Sequence, residues 1–188
     1  MIKIKKIHLI YVMILTMFVL TSCSSKDVAV NESESSETQI GGVYFAETNS
    51  RVGAKLSDFI IDLLDGSQYS LSKSSKPLFL YFWSIEEELS CIQLNDIQRL
   101  YNEYKDKIDF VLIDVLDDKN DLLDFLKENS GITAPIHHDD YGKFIYRYDI
   151  YNYPTVIIAD EDKVVSYNIA EYSKYEEYKQ YIENVIGK

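Results

Sequence analysis

Cysteine is almost absent from this 188-residue chain: Cys23 and Cys91 are the only two. Two thiols so far apart set up no internal disulfide framework, and Cys23 lies in a segment with another fate. Basic charge is scarce as well, with 19 Lys and Arg against 31 Asp and Glu and a net charge of −12. A surface of that sign repels phosphate backbones and anionic headgroups, which excludes nucleic acid as a partner. The apolar run from about Ile7 to Leu20 falls short of the ~20 residues that span a bilayer, and no internal repeat is visible. What is present is the material of a core: 46% hydrophobic and 13% aromatic residues, the aromatics mostly Tyr. That is well above the content of disordered chains, and Tyr buries a large ring while keeping a polar tip.

The N-terminus reads as an address. Lys3, Lys5 and Lys6 precede the apolar run, and the small residues Thr21 and Ser22 lead to Cys23, the order of a secretory signal. Leu20-Thr21-Ser22-Cys23 resembles a bacterial lipobox, in which the cysteine is diacylated and becomes the first residue. Two acyl chains anchor stably where one does not. The alternatives are a retained membrane anchor and ordinary cleavage that leaves a free cysteine. Removing the signal leaves 16 basic groups against 31 acidic ones, a net −15. The expected division is a signal peptide over 1–22, a lipidated Cys23 with a Ser- and Glu-rich disordered tether over 23–50, and one domain over 51–188. The stretch from 24 to about 42 has too few apolar side chains to offset its ordering entropy.

Within 51–188 the pattern predicts an α/β sandwich around a mixed sheet. Lys55–Phe59, Ile61–Leu64 and Tyr69–Leu71 read as extended segments around an Asp65-Gly66 turn. Pro77–Trp83 and Asp109–Val115 are continuous apolar runs of the kind that form strands buried on both faces. Leu94, Ile97, Tyr101 and Tyr104 recur at helical spacing over about Glu87–Lys105. A helix follows over Asp118–Asn129, with Gly131 as its left-handed cap. Next come a short strand at 133–138, a short helix at 143–148, a strand at Thr155–Ala159 with a hairpin partner at Lys163–Asn168, and a last helix at Ser173–Ile186. Strands alternating with helices define the class.

Five segments, in order, resemble the extracytoplasmic thiol–disulfide oxidoreductases of the thioredoxin superfamily, the TlpA/ResA-like group. They are Val52-Gly53 through Asp58-Phe59, Asp65-Gly66 with Tyr69-Ser70-Leu71, Leu80-Tyr81-Phe82-Trp83-Ser84, Asp140-Tyr141-Gly142-Lys143, and Tyr153-Pro154-Thr155. The resemblance implies a thioredoxin-like three-layer sandwich with a mixed sheet flanked by helices and an N-terminal β-hairpin extension. It implies a cis bond before Pro154 and a client-binding surface at Trp83, Tyr153, Pro154 and Thr155. The active-site segment departs from the family. Where its two catalytic cysteines would stand, this chain has Glu87 and Ser90, and Cys91 falls one position late. Gln93 replaces the family's helix carboxylate, and Asn95 its proline.

Dithiol exchange needs an acidic thiol at a helix N-terminus and a second thiol to release the mixed disulfide. Glu87 cannot attack a disulfide, so conventional reductase or oxidase chemistry is not expected. Cys91 is the one catalytic candidate, as a monothiol with a partner supplying the second thiol, but Glu86, Glu87 and Glu88 should raise its pKa. A peroxidase, by resemblance to peroxiredoxins, would want Thr three residues before the cysteine, where Glu88 stands. His137-His138-Asp139-Asp140 has metal-ligand chemistry, but neighbours on a strand point to opposite faces, so at most one His and one Asp converge. No metal and no cofactor is expected. The expected partners are a protein or peptide client, a thiol–disulfide partner, and the membrane through the N-terminal lipid, in an extracytoplasmic, envelope-bound location.

Overall fold

The computed structural model describes residues 50–187 together with the backbone of two short strands, β1 (Thr38–Ile40) and β2 (Val43–Phe45). The signal segment, Cys23 and the first part of the expected tether lie outside the described residues. Within 38–45, β1 and β2 pair antiparallel, Thr38 opposite Phe45 and Ile40 opposite Val43.

Strands β3 (Ile60–Asp62) and β4 (Gln68–Ser70) form a second hairpin. Gly66 sits in its loop at φ 86°, a conformation that residues with a Cβ resist. The central sheet holds β5 (Leu78–Trp83), β6 (Asp109–Val115), β7 (Ile136–Asp139), β8 (Thr155–Ala159) and β9 (Val165–Ile169) in the order β7-β6-β5-β8-β9. β5 runs parallel to β6, and β6 to β7, while β8 is antiparallel to both β5 and β9.

Every residue of β5 is buried, because both faces of the sheet are covered. Phe79, Tyr81 and Trp83 pack on one side with α1 (Glu88–Tyr104), α2 (Lys119–Glu128) and α4 (Tyr175–Ile186) through Leu94, Ile97, Leu122 and Tyr178. Leu78, Leu80 and Phe82 alternate to the other side. There they meet Phe59, Ile61 and Leu71 of the hairpin region and Phe144 and Tyr148 of α3 (Lys143–Tyr148). This is the three-layer α/β sandwich the sequence implies.

The expected extended segment Lys55–Phe59 is tied in beside the start of β9 by Leu56 N–H donating to Lys163 O and by a single bridge from Lys55 to Val164. One local expectation changes: Gly131 is not a left-handed cap, since its φ is not positive. Asn129 closes α2 instead: its backbone N–H and its side-chain Nδ2 both donate to Phe125 O, which satisfies the orphan carbonyl without a glycine.

Ile97 is fully buried and Ile92, on the solvent side of the same helix, is 52% exposed. Ile97→Ala should therefore cost about 2–5 kcal/mol, and Ile92→Ala less than about 0.5 kcal/mol, both read from urea unfolding.

Candidate functional site

Parallel strands end together, so β5, β6 and β7 deliver their following loops to one edge of the sheet, and antiparallel β8 begins there. The register sets Trp83 beside Asp114, Asp114 beside His138, and Phe82 beside Thr155. The loops at this edge carry Ser84–Glu87, Leu116–Asp118, Asp140–Tyr141 and the Tyr151–Pro154 turn. In open α/β sheets this end is where ligands bind.

Glu87 is the N-cap residue of α1, in extended conformation and with no capping hydrogen bond from its side chain. Its backbone carbonyl accepts from Cys91 N–H at 3.1 Å, which puts Cys91 one turn into the helix. Cys91 is half-buried, and its Sγ lies 3.4 Å from Ile85 O and 3.9 Å from Ser84 O. Burial first, then the carboxylates of Asp117 and Glu87, push the Cys91 thiol above its ordinary pKa. Ser90 is fully buried, and its hydroxyl has no hydrogen-bond partner among the described residues. Gln93 is buried too; its Nε2 donates to Ser173 O at 2.7 Å, tying α1 to the segment before α4.

The Tyr153–Pro154 bond is cis, as the resemblance implies. Of the four residues assigned to a client surface, three present none. Trp83 is fully buried against the Phe125 ring, Thr155 is buried with its hydroxyl donating to Asn152 O at 2.7 Å, and Pro154 is buried. Tyr153 is half-buried, and burial, followed by the carboxylates of Asp139 and Asp117, raises its phenol pKa.

Asp117 escaped the sequence reading and proves central. Its Oδ1 accepts from Ser84 Oγ–H and its Oδ2 from Ile85 N–H, both at 2.7 Å, so it clamps the loop that starts α1. It follows Leu116, a 63%-exposed apolar residue held at φ 65°, an uncommon conformation for a non-glycine residue. The two adjacent histidines face opposite ways, as strand geometry requires. His137 Nδ1 meets Asp62 O at 2.9 Å, whereas His138 Nδ1 lies 2.6 Å from Asp114 Oδ2 and its Nε2 lies 2.5 Å from Asp140 Oδ1. Among the described residues, no group of three or more His, Cys, Asp and Glu has metal-holding geometry. Asp114 had one legible signal: a carboxylate in the middle of a buried apolar strand is rare unless partnered.

Five strands in this order and direction, helices on both faces and a cis-proline turn at the active edge make this a thioredoxin-like domain. The chain belongs to the AhpC/TSA family, whose model matches residues 52–168. Solved structures agree on the fold. StoA from Bacillus subtilis is 21% identical over 66% of this chain and 96% of its own, with a TM-score of 0.61. The pneumococcal exposed lipoprotein thioredoxin Etrx1 from Streptococcus pneumoniae is 21% identical over 68% of this chain and 99% of its own, with a TM-score of 0.62. A secreted Mycobacterium tuberculosis disulfide oxidoreductase is 16% identical over 67% and 95%, with a TM-score of 0.60. No curated protein matches.

Glu87→Gln removes one of the charges opposing the thiolate. The apparent pKa of Cys91, followed by alkylation rate against pH, should fall yet stay above the free-thiol value, because burial is its largest cause. The difference between the two proteins should shrink at high salt.

Proposed function

We propose that this protein is a membrane-anchored, extracytoplasmic relative of the thiol–disulfide oxidoreductases that has lost the dithiol motif and serves as a client-binding module. One observation carries the reading. The N-cap of α1, where a nucleophilic thiolate would draw on the helix dipole, is a glutamate, and the nearby Cys91 sits among groups that disfavour its thiolate. A low-pKa thiol is the entry to disulfide exchange, and with Cys23 acylated the chain keeps no resolving partner. What remains suits recognition. The backbone N–H and C=O of Tyr153 have no hydrogen-bond partner among the described residues, so an extended client segment can pair there in the manner of an added strand. The anchor rests on the lipobox-like segment ending at Cys23, and one of the similar structures is itself named an exposed lipoprotein. No helix among the described residues is long and apolar enough to cross a membrane.

The alternative is monothiol exchange through Cys91 with a thiol supplied by a partner, which the half-exposed position of Cys91 at the first helical turn favours. Alkylation rate against pH separates the two on a Cys23→Ser chain, where Cys91 is the sole thiol. The binding module gives slow modification titrating at or above the ~8.5 of a free thiol. Fast modification with an apparent pKa well below that value would establish the exchange reading. The same substitution tests the anchor: wild type should partition with membranes and Cys23→Ser should not. Retention of Cys23→Ser in the membrane fraction would mean that the uncleaved apolar segment is the anchor.

A further inference from the structure

The acidic edge holds more carboxylates than its cations can balance. Asp114 is fully buried on β6, Asp139 is buried on β7, Asp117 is half-buried in the loop after β6, and Asp140 follows β7. Among the described residues, neither lysine nor arginine pairs with any of them, and the basic group in contact is His138. Asp139 is satisfied separately by the N–H groups of Lys143 and Phe144 at the start of α3, at 2.9 and 2.8 Å. Asp114 Oδ1 is buried with no hydrogen-bond partner.

The two nitrogens of His138 force a proton count. Contacts of 2.6 Å to Asp114 and 2.5 Å to Asp140 each need a hydrogen between nitrogen and oxygen. A neutral imidazole carries one N–H. The second hydrogen therefore sits on the ring, making an imidazolium between two carboxylates, or on a carboxyl group that donates to the bare nitrogen. Either way the proton belongs to the group as a whole rather than to one residue.

We infer that Asp114, His138 and Asp140 hold one proton more than a neutral imidazole supplies, and that this proton keeps Asp117 seated on the loop that begins α1. Burial, then the neighbouring Asp117, then Asp139 and Asp140 push the Asp114 carboxyl up to about 9, which supports retention of the proton through neutral pH. Asp139 of β7 lies near Asp114, while Ser84 from the end of β5, Cys91 of α1 and Tyr153 from the turn before β8 lie against or near Asp117, and Glu87 lies near Cys91; none of them supplies a positive charge.

Loss of the proton to solvent leaves a buried Asp114 carboxylate beside Asp117. Two carboxylates at close range in a poorly solvated site repel. Asp117 is the half-exposed member and is the one free to move. Its departure releases Ser84 Oγ–H and Ile85 N–H, and with them the Glu86 N–H to Ser84 Oγ contact at 3.1 Å. The cluster is thus a proton-binding site whose state is read by the loop carrying Glu86 and Glu87 and by the carbonyls against Cys91. This holds whether or not the protein binds clients as proposed.

The test is an NMR titration of the full-length chain, following the ring ¹⁵N shifts of His138, the carboxyl ¹³C shift of Asp114 and the exchange protection of the Ile85 amide. The expected result is one extra proton at pH 7, lost in a single step as pH approaches 9, with Ile85 protection falling in the same step. Asp114→Asn should abolish the step and keep Ile85 protected. Stability follows the same sign. The folded cluster keeps this proton up to about 9, whereas in the unfolded chain a free imidazole carries it and loses it above ~6.5, so Tm should decline between those two values more steeply in wild type than in Asp114→Asn. A neutral imidazole with two carboxylates already at pH 7 overturns the proton count. A proton step that leaves Ile85 protection unchanged overturns the coupling. Both readings come from wild type alone if the variant does not fold.

Discussion

The complete burial of β5 is the constraint on which the remaining architecture depends. A strand with no solvent-facing residue needs hydrogen-bonding neighbours on both edges and apolar cover on both faces. Parallel β6 and antiparallel β8 supply the first. The α1–α2–α4 layer and the opposing layer of hairpin and α3 supply the second. Once β5 is fixed, its C-terminal end fixes where α1 begins. The same register fixes which residues of β6, β7 and β8 stand beside that point. The candidate site is the consequence of three strands ending together and a fourth starting among them.

At that edge the electrostatics run against a thiolate. A redox-active cysteine needs its anion favoured by unpaired helix N–H groups and by nearby cations. Here the N-cap carries a carboxylate, Asp117 lies within range of Cys91, and burial raises the cost of charge. Asp117 spends its hydrogen-bonding capacity on the backbone and hydroxyl of the loop, so the acidic character also stiffens the entry to α1. His138 is held between two carboxylates, Asp114 and Asp140.

Most of the fold was legible from periodicity. Pro77–Trp83 and Asp109–Val115 read as buried strands because a strand covered on both sides has no polar face to interrupt its run. The helices read from their spaced apolar residues, and the Asp65-Gly66 turn from its dipeptide. The misreading was local: Gly131 invited a cap that Asn129 provides through its own side chain. At the site, the one-residue misfit of Cys91 against Glu87 and Ser90 was visible in the spacing. The burial of Trp83 and Thr155 was not, because a residue type common to core and binding surfaces does not announce which it serves.

The sequence by itself determined the order of elements, the class of the sandwich and the absence of a Cys-x-x-Cys pair, since these follow from hydrophobic period, turn chemistry and the spacing of two cysteines. Only the tertiary structure decided that His138 stands between Asp114 and Asp140, with Asp117 close by against the loop before α1. Those residues lie up to 26 positions apart, and no local pattern brings them together. Their contact arises from the parallel register of β6 and β7, and that register is set by packing on both faces of the sheet.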